Sequence, residues 1–246
     1  MSERRRGPGL GVLLLCYEVA SIGFSQIPPV TLIAVVGQAL LYSGYISVPW
    51  DRWDVCVSAE NILNGKEYSR LFLSAVEHGS DMHLYYNMIS FISKARGLEQ
   101  DMFGSCNFAV FLLLMTLLCS VTYVALSAIL FRVLHDYAYM KTCAIGFSGV
   151  VFALKALTTK REDAVNPGGR LREIDGSLNL PFQNTVWSEL ILIYFLVPGS
   201  SFVGHLAGIL AGMAYIHTPV GDLVDHIIAM VTGERLYRWS YLMGYT

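Results

Sequence analysis

Charge is what this chain has least of. Only 15% of its residues are Asp, Glu, Lys or Arg, against 54% apolar, and the mean hydropathy is +0.49. Soluble domains carry about 25% charged residues, so an ordinary soluble domain is excluded. A net charge of −2 offers no basic surface to nucleic acid. Cysteine is also sparse: Cys16, Cys56, Cys106, Cys119 and Cys143, an odd set with no metal-ligand spacing. That set predicts no disulfide framework; Cys56 and Cys143 can meet on one side of a membrane, but free thiols are expected. No cofactor and no metal are expected either. The start, Arg4-Arg5-Arg6 before an apolar run, is interrupted by Glu18 and has no small-residue cleavage site. Internal repeats and low-complexity tracts are absent.

What is present is a series of apolar stretches of membrane-helix character. Residues 10–24 are apolar but brief, which predicts an interfacial or re-entrant helix. Pro28-Pro29 ends it and opens the next, so 1–27 reads as an N-terminal cytoplasmic or interfacial segment. Spans are expected at 30–48, 82–96, 107–131, 145–157, 186–197 and 202–217, with long loops at 49–80 and 158–184. Residues 28–217 thus form one six-helix unit, and the fold class is all-α, a polytopic membrane bundle. Residues 218–246 end in an amphipathic stretch (Leu223, Ile227, Ile228, Met230) expected to lie on the membrane as a cytoplasmic tail. With a cytoplasmic N-terminus, Lys and Arg divide twelve to five in favour of the cytoplasmic side, which places both termini there.

The span at 145–157 is short. At 1.5 Å per residue it covers about 20 Å of a hydrocarbon core of about 30 Å. Lys155 near its end is expected to snorkel to one interface, which leaves Ser148, near its start, recessed below the other. Polar groups at such depth are costly and mark function by default. His205 opens the sixth span, and His83 and Asn87 stand at i and i+4 in the second, on one helix face. All three groups fall toward the same, non-cytoplasmic side.

Ser148 with His205 makes a nucleophile–base dyad, since no carboxylate is placed to orient the imidazole. His83, Asn87 and the Ser148 backbone N–H are the candidate oxyanion donors. Phe152, one turn after Ser148, is placed to hold the His205 ring. Gly204, Gly208 and Gly212 make a flat face for Gly149 and Ala153 to press against. His78 reads as structural or cavity-lining, and Glu18 and Glu189 as interfacial. A lone Gly-x-Ser-Gly is usually a turn, a small-xxx-small repeat usually packing, and a His/Asn pair usually interhelical glue. Their coincidence at one depth outweighs these readings. A zinc hydrolase on His78, His83 and His205 lacks a carboxylate ligand.

These residues resemble the rhomboid family of intramembrane serine proteases. The resemblance rests on Gly146-Phe147-Ser148-Gly149, on His205 with Gly208 and Gly212, and on His83-Leu84-Tyr85-Tyr86-Asn87 preceded by His78. It spans about Pro28 to His217 and is most similar to the endoplasmic-reticulum branch of animals. It implies cleavage of membrane-protein substrates in or near their transmembrane segments. For that branch it also implies an endoplasmic-reticulum membrane location, a site open to the lumen, and degradation machinery as a partner beside the lipid bilayer. Two positions depart from the family pattern: Ser69 stands before Arg70 where many members have Trp, and Phe152 where Tyr is common. The alternative is a non-catalytic rhomboid-like client binder, which would need neither Ser148 nor His205.

Overall fold

The computed structural model describes residues 8–165, 170–171, 180–196 and 200–236. Eleven helices run along these residues: α1 (Leu10–Ile22), α2 (Pro29–Tyr42), α3 (Ala59–Leu63), α4 (Arg70–Val76), α5 (Asp81–Gly97), α6 (Ser105–Leu134), α7 (Ala138–Lys141), α8 (Ser148–Val165), α9 (Phe182–Leu196), α10 (Phe202–His217) and α11 (Pro219–Thr232). Two two-residue strands, Arg170–Leu171 and Leu180–Pro181, pair antiparallel. The Arg4-Arg5-Arg6 start, Pro198-Gly199, residues 166–169 and 172–179 of the expected loop at 158–184 and the last ten residues of the tail lie outside the described residues.

Local sequence sets the boundaries. Ser80 caps α5 by accepting from the His83 amide at 3.1 Å, Asp81 sits in the first turn, and Lys94 and Arg96 sit in the last. Ser201 caps α10 in the same way, and Thr218 with Pro219 starts α11. Among the described residues only α6, with 30 residues and a mean window hydropathy of 2.4, is long and apolar enough to cross a membrane. Shorter apolar helices are α1, α2, α10 and residues 185–195 of α9. α5 and α8 are less apolar: α5 carries the buried Asn87 and the half-buried His83 and Lys94, and α8 ends in the run Lys160-Arg161-Glu162-Asp163, where Glu162 is exposed.

α8 is the central element, packed by α5, α6, α9 and α10. Ala153, Leu154 and Leu157 on it are fully buried, with Leu84, Met88 and Phe91 of α5 and Phe108, Phe111 and Met115 of α6. Tyr215 of α10 closes the cluster edge-on against Phe111. In a bilayer such close packing, rather than exclusion of water, holds helices together.

Several elements differ from the sequence expectation. The stretch 49–80 contains α3 and α4, because Ser58 caps α3 by accepting from the Asn61 amide and Arg70 begins a fresh apolar run. α8 continues eight residues beyond Leu157, to Val165, so the serine helix is not short. The expected free thiols of Cys56 and Cys143 are instead a disulfide, with Cα atoms 5.6 Å apart. The amphipathic stretch of the tail forms α11, which seats Val224 and Ile228 on the bundle while Leu223 and Met230 stay exposed.

α1 does not lie apart as an interfacial helix. It packs along α5 through Val12, Leu15 and Val19, and the Gly11 amide donates to Asp81 Oδ2 at 2.9 Å. Asp81 is the first residue of α5, so α1 begins at the same end of the bundle as His83. α2 begins at the opposite end, where Glu99 accepts from the Val30 and Thr31 amides and the Thr31 hydroxyl at 2.7–2.9 Å. Ser105 Oγ donates to the same carboxylate at 2.7 Å. Glu234, just after α11, lies at that opposite end, accepting from Asn107 Nδ2 at 3.2 Å. The described stretch from residue 8 to residue 236 therefore begins and ends at opposite ends of the bundle.

Candidate active site

Ser148 is the first residue of α8. The first amides of a helix have no intrahelical partner and carry the positive end of its dipole, so this end favours developing negative charge. The approach to it is fixed by an extended segment. Val57 and Ala144 form an antiparallel bridge with N–H···O distances of 2.9 and 2.8 Å, and the Gly146 amide donates to the Ser74 carbonyl at 2.8 Å. Gly146 has φ of +116°, a conformation that L side chains rarely adopt. A Cβ there would also stand 2.6 Å from His83 Cε1 and 3.6 Å from Asn87 Nδ2. The His83 ring and the Asn87 amide are thus packed against the backbone two residues before Ser148. Asn87 Nδ2 donates to the His83 carbonyl at 3.0 Å, one turn back along α5.

His205 sits on the first turn of α10 and is buried. Its ring lies 4.7 Å from that of Phe152, tilted by 31°. Phe152 is one turn after Ser148, so ring packing sets the imidazole over the serine end of α8. Among the described residues His205 Nδ1 has no hydrogen-bond partner. The helices meet through glycine. A Cβ on Gly208 would penetrate the Gly149 main chain, and one on Gly212 would lie 2.7 Å from the Ala153 carbonyl oxygen. Backbone-to-backbone approach of this kind is available only to small residues. His78 is fully buried and meets the His83 ring edge-on at 5.2 Å.

Ser148, His205, His83, Asn87, Phe152 and Gly149 all line one cavity of about 800 Å³. The structure therefore brings the expected nucleophile, base and oxyanion residues together, with Phe152 and His78 as supports and Gly208 and Gly212 at the helix contact. Chemically, this end of α8 offers a hydroxyl, an imidazole and several N–H donors in one pocket, the set needed for acyl transfer.

Other features were not legible in the sequence. Glu189, expected at an interface, lies on the cavity wall and pairs with Lys94 Nζ at 3.5 Å and Lys155 Nζ at 3.6 Å. Lys155 does not snorkel to an interface; it turns to this carboxylate. The one sequence cue was a glutamate and two lysines standing among apolar residues of three different helices. Arg70, despite lacking a Trp before it, anchors its loop by donating to the Cys56 carbonyl at 3.0 Å and pairing with Glu67 at 2.6 Å. Trp53 reaches the cavity rim from the loop before α3.

Comparison with known proteins places this architecture. The family model described as the rhomboid domain matches residues 65–220. Rhomboid-related protein 4 of Mus musculus is 38% identical over 226 residues, covering 92% of this chain and 68% of the relative. Its Homo sapiens counterpart is 34% identical over 225 residues, with the same coverage. Rhomboid-type serine protease 2 of Saccharomyces cerevisiae is 30% identical over 198 residues, covering 77% of this chain and 71% of the relative. No solved structure gives a significant match. With the rhomboid model covering more than half of it, this chain belongs to the rhomboid family.

Proposed function

We propose that this protein is an intramembrane serine protease that cleaves membrane-protein substrates in or near their transmembrane segments. One observation carries the reading: Ser148 opens α8 into a cavity shared with His205, His83 and Asn87. α2, α5, α6, α8, α9 and α10 cross the bilayer, and residues 28–217 are the catalytic unit. Ser148, His205, His83, Asn87 and Glu189 on the cavity wall let the shorter helices bound a water-filled recess rather than bare lipid.

In the reaction, Ser148 Oγ attacks the scissile carbonyl carbon while the His205 imidazole takes the hydroxyl proton. The carbonyl oxygen becomes an oxyanion at the α8 N-terminus, where the Ser148 N–H, the His83 ring and the Asn87 amide donate to it. Collapse breaks the C–N bond, and His205 returns the proton to the leaving amine. Water then attacks the acyl-enzyme, with His205 again taking and returning a proton, and frees Ser148. Phe152 and His78 position His205 and His83.

The Cys56–Cys143 bridge supports a mouth that opens to an oxidising compartment. The endoplasmic-reticulum membrane, with the cavity facing the lumen, meets that condition. A role in disposal of membrane proteins there rests on the resemblance to that branch of the family. Labelling by a fluorophosphonate probe in detergent tests the reading. Wild type should be labelled at Ser148, and Ser148→Ala should be neither labelled nor able to cleave a transmembrane substrate; cleavage by that variant at the wild-type rate overturns the assignment.

A further inference from the structure

The Cys56–Cys143 bridge lies on the path to Ser148. Cys143 is followed at once by Ala144, which forms the two-bond bridge with Val57, and by Gly146, whose amide is held on Ser74. Cys143, Ala144, Ile145 and Gly146 all line the cavity. Cys56 is the residue before Val57, and Arg70 fixes its carbonyl. One covalent link, a few main-chain hydrogen bonds and the buried Phe147 ring, edge-on to Phe91 at 5.1 Å, therefore determine where residues 143–147 run, and with them where Ser148 stands relative to His83 and Asn87. The hydrogen bonds face a cavity open to water and can exchange with it; the covalent link cannot.

The two sulfurs are unequally placed. Cys56 is buried, whereas Cys143 is half-buried on the cavity wall. A thiolate that enters the cavity reaches Cys143 first. We infer that this bridge is a redox modification site, and that its reversible reduction by a dithiol switches off the site assigned above. The inference rests on the serine-protease reading of that site. A reductant thiolate attacks Cys143 Sγ, forming a mixed disulfide and expelling Cys56 as thiolate, which takes up a proton. The second thiol of the dithiol attacks its own sulfur in the mixed disulfide and releases Cys143 as a thiol. The reductant loses two electrons and two protons and becomes a cyclic disulfide; the protein gains two thiols. With the segment released, a shift of about 1 Å at the serine end of α8 is enough to cost on the order of a hundredfold in rate.

The test uses the full chain in detergent with dithiothreitol as the dithiol. Denatured without reductant, the protein should bind maleimide at Cys16, Cys106 and Cys119 alone; after reduction Cys56 and Cys143 should react as well. Fluorophosphonate labelling of Ser148 should be at least tenfold slower in the reduced wild type, with unchanged helical circular dichroism, and should recover on reoxidation. The Cys56→Ser/Cys143→Ser double variant should label slowly with or without dithiothreitol. Reaction of all five cysteines before reduction, equal labelling of oxidised and reduced protein, or global loss of helix on reduction would each overturn the switch. Because the wild type is compared with itself, a double variant that fails to fold leaves the test intact. If oxidised wild type does not label at all, the serine-protease reading fails and the switch with it, while the thiol count still reports the bridge.

Discussion

Gly208 of α10 lies directly against the main chain of Gly149 in α8, with no room for a side chain between them. The contact is three residues from His205 and one from Ser148, so it sets the spacing of the candidate dyad. Gly208→Val should push α10 outward, lowering proteolysis by about a hundredfold or more and reducing the Tm. Gly37, where an added Cβ would meet nothing within 4 Å, is the control: Gly37→Ala should change neither. Unaltered cleavage and Tm in Gly208→Val would mean that the two helices do not meet here.

Removal of either candidate oxyanion donor should act on the transition state. His83→Ala or Asn87→Ala is expected to lower kcat by roughly one to three orders of magnitude with little change in KM. The Asn87 amide has two N–H donors, one held by the His83 carbonyl and one free for an oxyanion, whereas a carboxylate has none, so Asn87→Asp should be as poor as Asn87→Ala. Wild-type kcat in the double variant would reduce both residues to packing.

The Phe152 ring can be tested apart from the chemistry. Phe152→Leu keeps volume near the core but removes the flat face that His205 lies on. We expect kcat to fall about tenfold while fluorophosphonate labelling remains specific to Ser148, and Phe152→Tyr to keep activity. Full kcat in Phe152→Leu would show that His205 is positioned by something else.

Glu189 lies between two ammonium groups, those of Lys94 and Lys155. Breaking a buried pair by deleting one partner costs about 3–5 kcal/mol, and here the lower end applies because the Glu189 side chain is 26% exposed. In a chain of this size each kcal/mol moves the Tm by roughly 2–4 °C. Glu189→Gln should therefore melt several degrees lower, and replacing Lys94, Lys155 and Glu189 together by Met should recover most of the loss. A Tm equal to wild type in Glu189→Gln would show that the lysines find other partners.

The residues of the cavity were legible because they break a local rule: serine, histidine and asparagine in apolar helices have few reasons to be there. Helix α10 and the start of α5 were legible from their apolar runs, read as spans at 202–217 and 82–96. The disulfide was not, since an odd set of cysteines does not say which two meet, and Cys56 and Cys143 are 87 residues apart. The direction of α1 was not legible either. A helix of thirteen mostly apolar residues can lie on a membrane or stand in it, and what places this one is the Asp81 carboxylate, 70 residues after Gly11. The course of the Lys155 side chain was hidden because snorkelling is a property of one residue, whereas its partner Glu189 arrives on another helix.

The Glu99 carboxylate bears on how the chain is made. α2 is synthesised before Glu99, and its first amides, those of Val30 and Thr31, are completed only by a side chain 68 residues downstream of Thr31. During insertion those donors must be met by water, lipid headgroups or a chaperone, because bare hydrocarbon would leave them unpaired at several kcal/mol each. The order of synthesis and the order of completion therefore run opposite ways: α2 leaves the ribosome ahead of α5 and α6, yet its own beginning is finished only after the corner between them has formed.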